Sequence, residues 1–275
     1  MKIKLTSQFI WHILLILIVT MSLFPILFAI SSSFKDLNEA YKYTFAIIPL
    51  HPTLNNYMEV LNRLPFFKIT GNTFFIAATV TLFKIITSVF AAYAFVYFDF
   101  KYKKLIYFLL ISTIFIPFTV TMIPNYLTIS KLGFNDRLLG IILPELADAT
   151  GIFLIRQSMR TIPLSLIEVA RLEKAGHFRT MKDIVLPLTK PAIISTGIMF
   201  FINSWNEYVW PVLILKTKEN FTLPLALQLF ISSEGGTDFT IAMAVAVITM
   251  IIPVILYIVF QKYIINTFTS SGIKG

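Results

Sequence analysis

Asn203, Asn206 and Glu207 lie within about one helical turn in an otherwise apolar stretch, beside Trp205, Tyr208 and Trp210. Amides and a carboxylate pair with hydroxyls, and aromatic faces receive the C–H face of a sugar ring. The run therefore suits a polyhydroxylated solute. A second reading is structural: Glu207 and the two Asn residues cap a helix break at Pro211, or bond to a partner subunit. Other polar groups interrupt apolar stretches nearby. Asn125 and Tyr126 follow Pro124, Glu145 and Asp148 form an acidic pair, and Lys84 is a lone cation. Proline frees helix carbonyls, and such breaks are tolerated where backbone lines a cavity. Lys84 either snorkels or pairs with one of the acids. For an anionic solute, Lys84, Arg137 and Arg156 are the candidate partners.

Other chemistries are not encoded. The chain has no Cys, so thiolate sites are excluded. His12, His51 and His177 are too far apart in sequence for ligand spacing, so no metal site is expected. No G-x-x-x-x-G-K-[ST] phosphate loop and no Ser-His-Asp order occurs, and catalysis within this chain is not expected.

The elements that hold the polar groups follow from composition. Of 275 residues, 57% are hydrophobic and 13% charged, with 27 Phe. A water-soluble fold could not cover so much apolar surface with so few charges, so lipid is the solvent for much of the chain. A spanning helix needs roughly 20 mostly apolar residues. Six stretches qualify, at about 9–30, 74–98, 105–127, 138–155, 191–215 and 241–260. The first follows two Lys residues but is too long for a signal-peptide core, and reads as a retained span. Lys84 falls in the second, Pro117 and Pro124 in the third, Glu145 and Asp148 in the fourth, and the Asn203–Trp210 run in the fifth. The expected class is all-α: a polytopic membrane protein of six transmembrane helices.

Six spans put both ends on one side, and the charges fix which. With residues 1–8 and 261–275 inside, the inner segments carry a net +10 and the outer ones +1, the spans holding the rest of the +9 total. That distribution follows the positive-inside rule and accounts for the basic balance without nucleic acid. The long outer segment Ser31–Thr73, with Pro49, Pro52 and Pro65, reads as a plain surface loop or as short interfacial helices that touch an external partner.

The inner segment from Arg156 to Lys190 is more informative. Ser165 and Glu168 have the spacing of a capping box, predicting a helix that runs through Val169–Ala175 and ends at Gly176 with positive φ. Phe178–Val185 reads as a second short helix broken by Leu186-Pro187. Leu166, Ile167, Val169, Leu172, Phe178, Met181 and Ile184 are too apolar for a free loop. They pack against the inner ends of the spans, or they fill a groove in a separate protein.

At these residues the chain resembles a known family. Glu168-Val-Ala-Arg-Leu-Glu-Lys-Ala-Gly176, followed by Ile184-Val-Leu-Pro-Leu188, is similar to the EAA loop of ATP-binding-cassette importer permeases. Glu168, Ala170, Ala175 and the closing Leu186-Pro187 match the pattern E-A-A-x-x-D-G-A with its terminal L-P. Trp205-Asn-Glu-Tyr-Val-Trp-Pro-Val-Leu213 and Phe153-Leu-Ile-Arg-Gln157 resemble runs of the carbohydrate-type permeases, as does the ending Ser271–Gly275. The nearest resemblance is to the maltose and glycerol-3-phosphate types, and the segment Glu234–Phe239 is mildly similar to the latter. One departure stands out. The family's acid is Glu173 and its glycine position is Lys174, while Gly176 lies two residues on. The expectation is a turn shifted to Gly176, since Lys174 with positive φ costs roughly 1 kcal/mol or more.

The resemblance implies that residues 9–260 form the permease domain and that Glu168–Leu188 is a cytoplasmic coupling helix between spans four and five. That element sits in a cleft of an ATPase subunit. It further implies a second homologous permease subunit, two ATPase subunits that bind ATP and Mg, and an extracytoplasmic solute-binding protein. This chain would hold no cofactor of its own. Its place is the bacterial cytoplasmic membrane, in contact with lipid. The implied activity is ATP-driven uptake of a sugar or sugar-like solute, glycerol 3-phosphate among the possibilities. The resemblance also favours the structural reading of Asn203–Trp210, since the family keeps that run across many solutes. A stand-alone secondary carrier or channel is the alternative. It would need inverted repeats and facing membrane acids, which the sequence does not show, and would leave the inner loop without a purpose. A non-transporting membrane scaffold is the third reading.

Overall fold

A computed structural model describes residues 5–231 and 239–272, with side chains from 9 to 231 and from 239 to 262. Residues 1–4, most of Glu234–Phe239 and the last residues of the C-terminal ending lie outside the described residues. The helices run α1 (Leu5–Ser33), α2 (Leu37–Lys42), α3 (Asn55–Arg63), α4 (Phe66–Tyr97), α5 (Lys103–Ser112), α6 (Phe118–Lys131), α7 (Leu138–Ile142), α8 (Ala149–Met159), α9 (Leu164–Leu172), α10 (His177–Thr180), α11 (Leu186–Trp205), α12 (Val209–Ile214), α13 (Leu223–Ile231) and α14 (Phe239–Gly272). No strand occurs among the described residues.

Among the described residues, four helices are long and apolar enough to cross a membrane: Phe9–Ser33, Phe66–Tyr97, His177–Trp205 and Phe239–Lys262. Two bent pairs pass the same test, which makes six if each pair is one span. The third expected span is the pair α5–α6, bent by 98°. Its break has a local cause. Pro117 forces the preceding Ile116 out of the helical region, to φ −82° and ψ 113°. Pro124 lies inside α6 without breaking it. The fourth is α7–α8, bent by 44°. Asp148 sits at the bend, extended, and its carboxylate accepts from the Thr150 amide at 2.8 Å, starting α8 anew.

The fifth span differs from expectation. Leu186-Pro187 does not break the helix. His177–Trp205 is one continuous helical run of 29 residues. Met181–Val185 widens into a π-turn just before Pro187. There the ladder changes register, and the missing proline N–H is absorbed where hydrogen bonding is already rearranged. Thr189 donates its hydroxyl to the Val185 carbonyl at 2.7 Å. The run then stops at Trp205, and α12 is a separate short helix.

The chain divides into two compact units, Met1–Phe66 with Leu223–Ile251 and Phe67–Thr222 with Ile252–Gly275. In the first, the outer segment after α1 is folded rather than a bare loop. Lys35 is fully buried and its ammonium donates to the carbonyls of Ala46 and Tyr43. Asn56 donates to the carbonyls of Ser33 and Lys35, both at 2.8 Å, and accepts from Thr240 at 2.9 Å. In the second unit, Tyr93, Tyr97, Ile155, Met159, Ile167, Met181 and Val185 belong to one buried core. That core joins the ends of α4 and α8 to the segment carrying α9 and α10.

Candidate coupling elbow and membrane polar cluster

The elbow is α9, a turn and α10. Pro163, not Ser165, occupies the N-cap, and no side chain caps α9. The capping-box expectation is therefore corrected: α9 begins one residue before Ser165, with proline's fixed φ setting the entry. Ile167 and Ala170, three apart, face the core. Val169, Leu172 and Phe178 face outward, with Leu172 82% and Phe178 69% exposed. Glu168, Glu173 and Lys174 are exposed beside them.

The turn after α9 also overturns the expectation. Lys174 takes the left-handed conformation, φ 54°, while Gly176 lies at φ −68° and ψ 162°. The Ala175 amide donates to the Ala170 carbonyl at 2.9 Å and the Lys174 amide to the Arg171 carbonyl at 3.0 Å. Those two bonds make a Schellman cap, and they demand positive φ at the residue before Ala175. Gly176 instead starts α10, accepting from the Thr180 amide at 3.0 Å. Closure of the backbone bonds decides the position, against the side-chain preference for glycine.

The elbow is clamped to the spans. The Tyr93 hydroxyl donates to the His177 carbonyl at 3.1 Å, and the Tyr97 hydroxyl to the Met159 carbonyl at 3.1 Å. The His177 ring lies 4.4 Å, centre to centre, from Phe98. The first and last of these contacts tie α10 to the end of α4, and α10 continues into the His177–Trp205 run. Leu186 is half-buried and Pro187 exposed along that run.

The polar groups in the membrane segments converge. Lys84 of α4 is 9% exposed; its ammonium contacts Glu145 at 2.5 Å and Asp148 at 3.4 Å. Lys84, Glu145, Asn203, Glu207 and Trp210 line one small cavity of about 60 Å³. The Glu207 carboxylate accepts from the Trp210 amide at 3.1 Å, satisfying a free N–H at the start of α12. Trp205 and Trp210 are 1% and 2% exposed. Trp210 donates its indole N–H to the Gly140 carbonyl at 3.2 Å, and Trp205 stacks on Phe201. Both are buried by contacts within the chain, with Trp210 also at the cavity wall. Asn203 remains at the cavity and Asn206 is exposed. Asn125 and Tyr126, half-buried on α6, do not line this cavity. The three cations named for an anionic solute do not gather: Lys84 is neutralised, Arg137 is exposed before α7, and the Arg156 guanidinium lies 3.9 Å over the Tyr107 ring.

Residues 84–269 match the family described as binding-protein-dependent transport system inner membrane component. The chain belongs to that family. It is a transport permease of the inner membrane. The sn-glycerol-3-phosphate transport system permease protein UgpE of Yersinia pestis bv. Antiqua (strain Antiqua) is 33% identical over 267 residues, covering 94% of this chain and 95% of the relative. The protein of the same description from Rhizobium meliloti (strain 1021) is 30% identical over 268 residues, with the same coverage. Among solved structures, a chain of a bacterial ABC transporter involved in the import of the acidic polysaccharide alginate superposes with a TM-score of 0.83. It is 25% identical and covers 93% of this chain and 95% of that one.

Two residues of this permease that carry weight escape sequence reading. His177 lies between the two halves of the elbow motif but matches no position of its pattern, and its partners Tyr93 and Phe98 are far away in the chain. Asp136 stands at φ 56° and its carboxylate accepts from the Lys216 and Thr217 amides at 2.9 and 3.1 Å. Burial pushes its carboxyl up, but the bonds from Lys216, Thr217 and Asn220 outweigh this and hold it below the ordinary value. Asp136 ties the loop after α6 to the segment after α12.

Proposed function

We propose that this chain is one of two permease subunits in an ATP-driven importer for a sugar or sugar-like solute. The α9–α10 elbow seats in a cleft of a separate ATPase subunit, and an external solute-binding protein delivers the cargo. The observation that carries the reading is the outward apolar face of Val169, Leu172 and Phe178 on an elbow whose inner face is clamped to α4 and α8. An apolar face rigidly tied to the spans suits a helix laid into a groove. ATP binding drives transport only if the closed ATPase dimer binds the elbow differently in the two permease states. The elbow and both termini then lie in the cytoplasm, a reading the charge distribution supports.

Polyol recognition falls to the hydroxyl-pairing groups at the membrane cavity, Asn203 and Glu207. The UgpE relatives carry glycerol-3-phosphate in their name and the structural neighbour imports an acidic polysaccharide. Lys84 is already paired with two carboxylates, so a phosphate or uronate charge would be met by the partner permease or by mobile groups.

The test replaces Leu172 and Phe178 by Asp. Solute-stimulated ATP hydrolysis by the reconstituted importer should fall to the unstimulated rate while membrane insertion is unchanged. Unaltered stimulation sinks the proposal, and solute uptake by the purified chain without ATP would establish the secondary-carrier reading instead.

A further inference from the structure

Phe153-Leu-Ile-Arg-Gln157 is unused by either site above, and its arginine faces a different part of the molecule. Arg156, with Arg160 four residues on, belongs to the last turns of α8 and its C-cap. Together with the end of α4 and the start of α5 they border a groove of about 770 Å³. Four of its lining side chains are basic, Lys103, Lys104, Arg156 and Arg160, against the single acid Asp99. Two polar atoms on its wall, the Tyr107 hydroxyl and Arg156 Nε, are buried and have no hydrogen-bond partner among the described residues. Buried donors without acceptors are costly, and a half-buried Arg whose Nε is one of them suits an anion with several oxygens. The rest of the wall is aromatic and aliphatic, Phe95 packing on Tyr107 at 5.3 Å between ring centres.

Location narrows the anion. The groove lies where α4 and α8 end and α5 begins, and ends of apolar spanning helices are where phosphate headgroups meet acyl chains and where Tyr is favoured. Its volume is that of a ligand site rather than of a packing defect. Basic pockets between spanning helices on the cytoplasmic side suit anionic headgroups. We propose that this groove binds the phosphodiester headgroup of an anionic phospholipid of the inner leaflet. Arg156, Arg160 and Lys104 receive the charge, and the Phe95 side carries the first acyl carbons. The leaflet rests on the orientation proposed above; binding itself does not.

Native mass spectrometry of the detergent-purified protein, alone and with its partner subunits, tests this with added dioleoylphosphatidylglycerol, dioleoylphosphatidylcholine or inorganic phosphate. Phosphatidylglycerol should bind in preference to phosphatidylcholine, and millimolar phosphate should not displace it. Arg160→Gln and Lys104→Gln, both at exposed positions, should each weaken it about fivefold. Lys182→Gln and Lys190→Gln, also basic and exposed but outside the groove, should not. Arg156→Gln should cost more, as the side chain stacked on Tyr107. Equal affinity for both lipids, equal loss in groove and control variants, or displacement by phosphate would overturn the proposal. So would loss of lipid whenever the partner subunits are bound, which would make the groove a subunit interface. Labelling of Lys104→Cys from one side of the membrane reads the orientation separately, the chain having no other cysteine.

Discussion

Replacing Lys174 by Gly should strengthen the coupling elbow. Lys174 is held at φ 54° by the bond from the Ala175 amide to the Ala170 carbonyl. An L-residue in that region costs about 1–2 kcal/mol, which glycine does not incur. Glycine gives back about 0.5–1 kcal/mol in backbone entropy. The net gain of about 0.5–1 kcal/mol corresponds to two- to fivefold slower local opening. Hydrogen exchange at the Ala175 amide in the detergent-solubilised protein reads that opening directly. Gly176→Ala is the companion variant. At φ −68° alanine is allowed, and its added Cβ meets nothing within 4 Å, so exchange should change less than about twofold. A turn centred on Gly176 gives opposite signs. Lys174→Gly would then weaken the last helical turn by about 1 kcal/mol, and Gly176→Ala would incur the left-handed penalty. Faster exchange in the first variant, or a large acceleration in the second, refutes the assignment.

Three further outcomes follow from the second unit. Lys84→Met should lower stability by about 1–3 kcal/mol, because it leaves the half-buried Glu145 and Asp148 without a cation, whereas Lys84→Met with Glu145→Met should recover part of the loss; additive losses in thermal melts would show that the pair is not coupled. Gly151→Ala should destabilise by about 1–3 kcal/mol, since its Cβ would collide with the Ser88 hydroxyl and the Phe200 ring where α8 meets α4 and α11; an unchanged melting temperature would contradict that packing. Asp136 accepts its bonds as a carboxylate, so its folded pKa lies below the unfolded one, and the stability they add is full above about pH 4 and is lost as pH falls through the lower folded value. Asp136→Asn should flatten this acid limb in unfolding measurements, and an identical limb would assign it to other carboxylates.

How much was legible in the sequence divides along one physical line. Transfer of apolar side chains into lipid is local and nearly additive, so the apolar stretches and the charge asymmetry could be read without a fold. Proline acts on its immediate neighbour, so the break at Pro117 was legible in kind, and the apolar elbow was legible as an anomaly among loops. Bonds closed across the chain were not. Lys84 finds Glu145, 61 positions on, and Tyr93 finds His177, 84 positions on. Nor could the sequence show that Trp205 stacks on Phe201 or that Trp210 donates to the Gly140 carbonyl, 70 positions back. Pro187 read as a stop until the π-turn before it absorbed the missing donor. At Lys174 the local preference of a side chain lost to the closure of two backbone bonds. The sequence by itself determined which segments must leave water and which segment should meet a partner, because those terms are sums over neighbouring residues. The tertiary structure decided which polar groups satisfy each other, because that depends on distances set only when the helices have packed.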